Sequence, residues 1–139
     1  MKKANCAFCS YKDKEVIILN DNLCYAIVSK SPINKHHVLV IPKEHYKDFI
    51  ELPKKLAAHI FVVTQEISAA VRKACKPDAI EHISDDDLSN TGINLMEHYK
   101  IHIIPRFKND KIKLDWNRTR DPGLKARSQF AKDVKDSLE

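Results

Sequence analysis

Residues 96–104, MEHYKIHII, alternate polar and apolar side chains, the pattern of a β-strand that buries one of its faces. Successive side chains of a strand point to opposite sides of a sheet, so His98, Lys100 and His102 are predicted to lie on one surface. The apolar residues between them face a core. Pro105 closes the predicted strand, which thus presents a lysine between two histidines.

The rest of the chain predicts further strands and two helices. Strands are predicted at 15–21, 22–30, 36–42 and 79–84, the first two meeting at an Asn-Asp-Asn turn. Residues 53–76 carry apolar side chains at three- and four-residue steps, which predicts the longest helix of the chain. A terminal helix is predicted after Asp121 and Pro122, with Asp121 as its N-cap and apolar residues reaching Leu138.

Composition favours one compact domain spanning residues 1–139, with 43% hydrophobic and 31% charged residues. The net charge of +5 favours anionic ligands such as phosphates, whereas the basic tract at 108–120 is interspersed with acids, so nucleic acid is not expected as a partner. No run approaches the ~18 apolar residues of a membrane span, and the first residues lack the core of a secretory signal. We therefore expect a cytoplasmic protein with no membrane partner, whose four cysteines are reduced thiols or metal ligands.

Three motifs together resemble the histidine triad (HIT) family. The stretch HYKIHII followed by Pro-Arg resembles the family's H-x-H-x-H-x-x signature, HHVLVIPKEH (36–45) is similar to its G-H-x-L-V-I-P-K-x-H segment, and CAFC resembles the C-x-x-C with which many bacterial members begin. The resemblance covers nearly the whole chain in the same order. It implies an α+β histidine-triad fold, in which the 53–76 helix packs on an antiparallel sheet and a C-terminal helix follows. It also implies a homodimer.

The resemblance implies a changed catalytic centre. Family members are nucleotide-binding hydrolases and transferases, in which the middle histidine of the triad attacks an α-phosphate and forms a nucleotidyl-histidine. Lys100 stands at that position here, with His37 and His102 matching the flanking groups of the catalytic pocket. A lysine with a reference pKa of ~10.4 is almost wholly protonated at neutral pH, so it has no lone pair for attack unless its site desolvates or repels the charge. Catalysis is therefore expected to be impaired or absent.

Several groups expected to contact the ligand are altered as well. Ser29 stands where the family presents an acidic residue to the ribose hydroxyls, and His36 replaces a glycine. Asn94 keeps part of an amide's role, but Leu95 removes a hydroxyl donor to phosphate. The ligand-binding residues that the resemblance implies are Ser29, His37, Asn94, Lys100, His102 and Arg106.

The resemblance also implies a zinc site. Residue by residue, the metal ligands of zinc-containing members match Cys6, Cys9, His45 and His98. Two thiolates and two imidazoles complete a tetrahedral zinc with no open position, so the site is expected to be structural. The alternative is a pair of reduced thiols near a flexible terminus, with His45 merely exposed.

Three functional hypotheses follow. The favoured one is an impaired family member that retains structural zinc and binds nucleotides or another phosphorylated ligand. The second is an active nucleotide hydrolase or transferase, in which Lys100 is the nucleophile or His102 activates water. The third is a scaffold or partner-binding protein that uses the fold without a small ligand.

Overall fold

The computed structural model describes residues 1–84, 86, 96–113 and 118–138. Within these residues the chain forms a short 3-10 turn at Lys14–Val16, then β1 Ile17–Asn20, β2 Cys24–Val28, β3 Val38–Pro42, α1 Lys54–Cys75, β4 Ala79–Ile83, β5 Ile101–Arg106 and α2 Leu124–Asp136. None of the helices in this part of the chain combines the length and apolar character that crossing a membrane requires.

The strands form one antiparallel sheet in the order β1-β2-β3-β5-β4. The expected α+β class, an antiparallel sheet with a long helix and a C-terminal helix, is therefore confirmed. β3 lies at the centre of the sheet with all five of its residues buried, as its continuous apolar sequence predicted. Leu39 of β3 lies opposite His102 of β5, and this register brings His37, the residue before β3, beside the predicted triad strand.

The two faces of the sheet bury different clusters. On one face, α1 packs its apolar stripe, including Ile60 and Val63, against Tyr99, Ile101 and Ile103. The stripe follows the three- and four-residue spacing that predicted the helix. The other face carries a smaller cluster, and the N-terminal segment covers it instead of a helix. This cluster contains Tyr25, Ile27, Leu39 and Ile41, with Phe8 and Tyr11 packed against it.

The predicted strand at 96–104 is shifted in the structure. β5 begins only at Ile101, because residues 96–98 form a bend and Tyr99 donates its N–H to the carbonyl of Tyr46. The strand then runs through Pro105, whose carbonyl accepts a hydrogen bond from the Asn34 side chain at 3.0 Å. The pairing of β3 with β5 ends at Ile103, so no β3 carbonyl lies opposite Pro105. The absence of an N–H group on Pro105 therefore costs the sheet no hydrogen bond on this side.

The start of α2 also differs from the prediction. Gly123, with φ of 90°, occupies the N-cap position that was predicted for Asp121. Asp121 instead accepts a hydrogen bond from the Gly123 N–H at 2.9 Å, which forms a turn before the helix.

The expected domain extent of 1–139 stays a prediction.

Candidate metal centre and adjoining pocket

Four potential metal ligands converge beside the sheet. Cys6 and Cys9 come from the N-terminal segment, His45 from the loop after β3, and His98 from the bend before β5. Their ligand atoms all lie within 4.8 Å of one another. The Sγ atom of Cys6 lies 3.2 Å from Nδ1 of His98, and the Sγ atom of Cys9 lies 3.4 Å from Nδ1 of His45 and 3.7 Å from Nδ1 of His98.

The hydrogen bonds around the cluster orient its ligand atoms. His98 donates its Nε2–H to the carbonyl of Pro42 at 2.9 Å, and burial lowers the pKa of His98 to about 4, so the neutral ring keeps a lone pair on Nδ1. The backbone N–H of Lys3 donates to the Cys9 sulfur at 3.2 Å. Burial raises the pKa of the Cys9 thiol, an effect that this hydrogen bond from Lys3 partly offsets.

The cluster fits a tetrahedral, thiophilic divalent ion. Zinc–sulfur bonds of ~2.3 Å and zinc–nitrogen bonds of ~2.0 Å place neighbouring ligand atoms of a tetrahedron about 3.5 Å apart. The observed sulfur–nitrogen separations of 3.2 to 3.7 Å lie around this value. The Nε2 atom of His45 is buried without a hydrogen bond and lies 3.8 Å from Glu97, where a carboxylate can orient a ligating imidazole.

A pocket of about 670 Å³ adjoins the cluster. One wall is the N-terminal segment, another is the connection between β2 and β3, and the ends of the central strands form its base. Four of the predicted ligand-binding residues line it together: Ser29, His37, Lys100 and His102. Asn94 and Leu95, which the sequence placed near the ligand, lie outside the described residues.

A chain of hydrogen bonds fixes the protons of the two pocket histidines. The backbone N–H of Ile33 donates to Nδ1 of His37 at 3.0 Å, so neutral His37 carries its proton on Nε2. That nitrogen lies 2.9 Å from Nδ1 of His102, which must therefore accept. Burial lowers the pKa of His37 to about 4, and burial with the nearby charges of His37 and Lys100 lowers that of His102 to about 3. Both rings are neutral at pH 7.

The same hydrogen bonds decide what His102 offers to a ligand. With Nδ1 occupied as an acceptor, the neutral ring holds its proton on Nε2. His102 is then a hydrogen-bond donor and not a base at that atom. This tautomer suits contact with a phosphate oxygen and does not suit the activation of water.

Lys100 is buried beside the pocket, with only 3% of its surface exposed. Its Nζ donates to the carbonyl of Met96 at 3.0 Å and lies 5.3 Å from the centroid of the Phe8 ring. A carbonyl oxygen and the face of an aromatic ring both stabilise an ammonium group. The position therefore supplies a positive charge next to the donor of His102.

Arg106 is not brought to this pocket. Its guanidinium donates to Asp110 through Nε at 2.7 Å and through Nη2 at 3.1 Å, to Glu81 at 2.7 Å and to the carbonyl of Ile112 at 2.7 Å. These contacts fix it at the far end of β5. The Arg106 guanidinium holds the pKa of Asp110 well below its usual range. The interpretation of Arg106 as a ligand-binding residue is therefore not carried further.

The pocket also contains residues that the sequence analysis did not select. Phe8 and Tyr11 line it from the N-terminal segment, and the N–H of Ile33 sets the tautomers of the histidines. The sequence could have indicated Phe8, because it lies between the two cysteines of CAFC and is therefore close to any metal that they bind. The contribution of Ile33 has no sequence signal, because it comes from the backbone.

A second group of potential ligands, Asp21, Cys24 and His59, joins the β1–β2 turn to α1. Asp21 accepts the N–H groups of Leu23 and Cys24 at 2.7 and 2.8 Å, and its other oxygen lies 2.7 Å from Nε2 of His59. Burial by itself would raise the pKa of Asp21, but these three hydrogen bonds lower it to about 2. The group is satisfied by its own contacts and serves as a structural link.

Comparison with known proteins agrees with this architecture. Residues 11–109 match the HIT domain family. The protein named hit from Bacillus subtilis is 32% identical over 124 residues, which cover 84% of this chain and 82% of that protein. A bis(5'-adenosyl)-triphosphatase from Dictyostelium discoideum is 32% identical over 111 residues, covering 76% of this chain and 73% of that protein.

Solved structures share the fold. A HIT family protein from Bacillus anthracis superposes with a TM-score of 0.86 at 24% identity, covering 98% of this chain and 99% of that one. A zinc-bound histidine triad family protein from Mycobacterium smegmatis gives a TM-score of 0.69 at 26% identity, covering 97% and 98% of the two chains. The chain belongs to the HIT domain family, and its cluster of two cysteines and two histidines supports the zinc-containing type.

Proposed function

We propose that this protein binds nucleotides or a related phosphorylated ligand in the pocket beside Lys100, and that it has little or no nucleotidyl hydrolase or transferase activity. The observation that carries the proposal is the buried side chain of Lys100, whose Nζ donates to the Met96 carbonyl and lies over the ring of Phe8, at the position that the resemblance assigns to the middle of the triad. An ammonium group binds phosphate as a point charge but has no lone pair with which to attack it.

The shape and chemistry of the pocket support ligand binding. Its volume of about 670 Å³ falls within the roughly 300–1,000 Å³ of small-molecule sites. Lys100 and His102 line the pocket as polar groups suited to an anion, while Ile27 and Leu39 offer an apolar surface to a ring. The Dictyostelium relative is named for action on a dinucleoside triphosphate, which agrees with a nucleotide ligand.

The hydrogen bonds of the pocket also argue against the alternative of an active enzyme. An activated water needs a base, and the neutral tautomer of His102 holds a proton on Nε2 because its Nδ1 accepts from His37. His37 cannot release this constraint, since its own acceptor atom receives a backbone N–H that does not ionise. Neither His102 nor His37 is therefore positioned to deprotonate water or to attack phosphorus.

We also propose that zinc is the natural metal of the cluster and that its role is structural. Cys6, Cys9, His45 and His98 would hold it with two sulfur and two nitrogen ligands. A zinc ion with four protein ligands has no open position for substrate. When bound, it would supply fixed attachment of the N-terminal segment to the sheet and take no part in chemistry.

A homodimer is part of this proposal. Phe61 and Val62 of α1 are more than half exposed, and Phe49 packs against Phe61 with ring centroids 6.2 Å apart. Adjoining apolar side chains on one surface are typical of an interface. Residence in the cytoplasm, and the expectation that nucleic acid is not a partner, stay predictions from the sequence.

Calorimetric titration with AMP tests the binding proposal. The wild type is expected to bind AMP, and Lys100→Gln is expected to weaken binding about tenfold or more, because it removes the charge beside the phosphate. Lys73→Gln, on the exposed side of α1, serves as the matched control and should bind as the wild type does. Equal affinity of all three proteins would contradict the assignment of Lys100 to the ligand.

A further inference from the structure

The N-terminal segment, residues 1–13, contributes to both the candidate metal site and the pocket. Cys6 and Cys9 are the two potential sulfur ligands of the metal site. Every residue from 4 to 13 except Cys9 lines the pocket. A ligand in the pocket and a metal in the cluster would therefore contact the same few residues from opposite sides.

Phe8 makes the link between the two sites. Its ring lies edge-on to His98, a metal ligand, with centroids 5.9 Å apart, and the same ring covers the ammonium of Lys100 at 5.3 Å. The backbone of Phe8 is held by the Tyr25 hydroxyl, which donates to its carbonyl at 2.5 Å. Because Phe8 lies between the two cysteines, its position depends on theirs.

Apart from the packing of Phe8 and Tyr11 against the Tyr25 cluster, the attachments of the segment are weak. The segment forms only turns before residue 14, with no strand or helix to hold it. Its ion pairs, Met1 with Glu44 and Lys3 with Glu97, join groups that are at least half exposed. Exposed ion pairs contribute roughly 0–1 kcal/mol each. A metal held by Cys6 and Cys9 would therefore add a strong anchor to the packing of Phe8 and Tyr11.

We propose that a metal ion in the cluster of Cys6, Cys9, His45 and His98 fixes one wall of the pocket, and that Phe8 couples metal occupancy to ligand binding and to the shielding of Lys100. Without metal, the segment moves away from the sheet and Lys100 becomes accessible. The part that concerns ligand binding rests on the proposed function, whereas the shielding of Lys100 does not. Coupling is reciprocal, so a ligand strengthens metal binding by the same factor by which metal strengthens ligand binding.

Chemical labelling tests the shielding without any ligand. The zinc-loaded protein and the protein treated with a chelator are exposed to an amine-acetylating reagent, and acetylation of each lysine is followed by peptide mass spectrometry. Lys100 is expected to react at least fivefold faster after zinc removal, whereas the exposed Lys73 should react equally in both samples. Thiol labelling of Cys24, which is completely buried in the core, shows whether the fold itself opens.

The variant Phe8→Ala removes the aromatic ring that joins the two sites and keeps all four potential metal ligands. It therefore tests the role of Phe8 independently of metal binding. We expect Lys100 to react quickly in this variant with or without zinc. Phe130→Ala, on the exposed α2, is the matched control and should keep the zinc dependence. Zinc affinity is then measured by chelator competition with and without AMP. AMP should raise zinc affinity at least fivefold in the wild type and leave it unchanged in Phe8→Ala.

Two results would overturn the inference. In the first, Lys100 reacts at the same rate with and without zinc while Cys24 stays protected. In the second, Cys24 becomes labelled as fast as Lys100 after zinc removal, because the metal would then hold the entire fold and not this wall alone. Failure of AMP to bind at all would refute the proposed nucleotide ligand, and the labelling of Lys100 would still decide the inference about the wall.

Discussion

The Nε2 atom of His37 lies 2.9 Å from Nδ1 of His102, and the opposite nitrogen of His37 accepts the N–H of Ile33. A backbone amide thus fixes the tautomers of two buried side chains in succession. The order of donors determines that neutral His102 carries its proton on Nε2 and uses the lone pair of Nδ1 toward His37. Lys100, which the resemblance places at the middle of the triad, lines the same pocket as this histidine.

Burial of these two histidines predicts a loss of stability in acid. Their pKa values are about 4 and about 3 in the folded chain, against the ordinary 6.5, so the unfolded chain binds more protons below pH 6.5. The stabilisation is complete above pH 6.5 and is lost as the pH falls toward 4, by roughly 2 kcal/mol for each histidine. Urea unfolding at intervals between pH 7 and 4.5 measures this loss. His102→Gln should show a smaller decline than the wild type, and an identical decline would contradict the burial of a neutral ring.

The link between Asp21 and His59 predicts a second contribution to stability. Asp21→Ala removes four hydrogen bonds, including a long one from the Cys24 thiol, and is expected to lower the free energy of unfolding by about 1–2 kcal/mol. Because the pKa of Asp21 is lowered to about 2, this contribution is present above pH 4 and declines between pH 4 and 2. Asp136→Ala, on the exposed α2, is the control, with an expected change below ~0.5 kcal/mol. Equal effects of the two substitutions would rule out the link.

His36 adopts a left-handed backbone conformation, with φ of 61°. The Cβ atom of a side chain is disfavoured there and glycine has none, so His36→Gly is expected to raise the free energy of unfolding by up to about 1 kcal/mol. The neighbouring exposed Lys35 has no such conformation, and Lys35→Gly should lower stability through the greater freedom of the unfolded chain. Thermal unfolding of both variants checks the prediction. Destabilisation by His36→Gly would show that the imidazole makes a contact that outweighs the strain.

Zinc content tests the metal centre. We expect one zinc ion per chain by elemental analysis, and Cys9→Ser should lower the content severalfold and the melting temperature by several degrees. Cys75 donates to the Val71 carbonyl within α1 and lies outside the cluster, so Cys75→Ser is the control and should keep the metal. Full zinc content in Cys9→Ser would exclude this cysteine as a ligand.

The sequence predicted most of the fold because periodicity depends on local spacing. The stripe of α1 and the apolar run of β3 each repeat a pattern that burial requires, and both are present. The start of β5 at Ile101 was not predictable, since it depends on a hydrogen bond from Tyr99 to Tyr46, more than fifty residues away in the chain. Alternation along the strand nevertheless placed Lys100 and His102 on one surface, as the pocket confirms.

The candidate site was predictable to the extent that its residues lie in motifs. The cysteines and histidines of the metal cluster come from three such segments and meet as the resemblance implied. Arg106 also lies in a motif, but its side chain turns to Glu81 and Asp110. The pairing with Glu81 depends on the position of β4 beside β5, which a single sequence does not reveal, whereas Asp110 lies only four residues after Arg106 in the chain.

The measurement that tests the central claim most directly is intact-protein mass spectrometry of the wild type and Lys100→His. Each is incubated with adenosine phosphoramidate and with diadenosine tetraphosphate, and released nucleotide is quantified in parallel. We predict no covalent adduct and no turnover for the wild type, and nucleotide release by Lys100→His, because the variant would restore a neutral imidazole in the pocket that we propose to bind nucleotides. Turnover by the wild type, or a nucleotidyl group attached to Lys100, would contradict the account and identify an enzyme with a changed nucleophile.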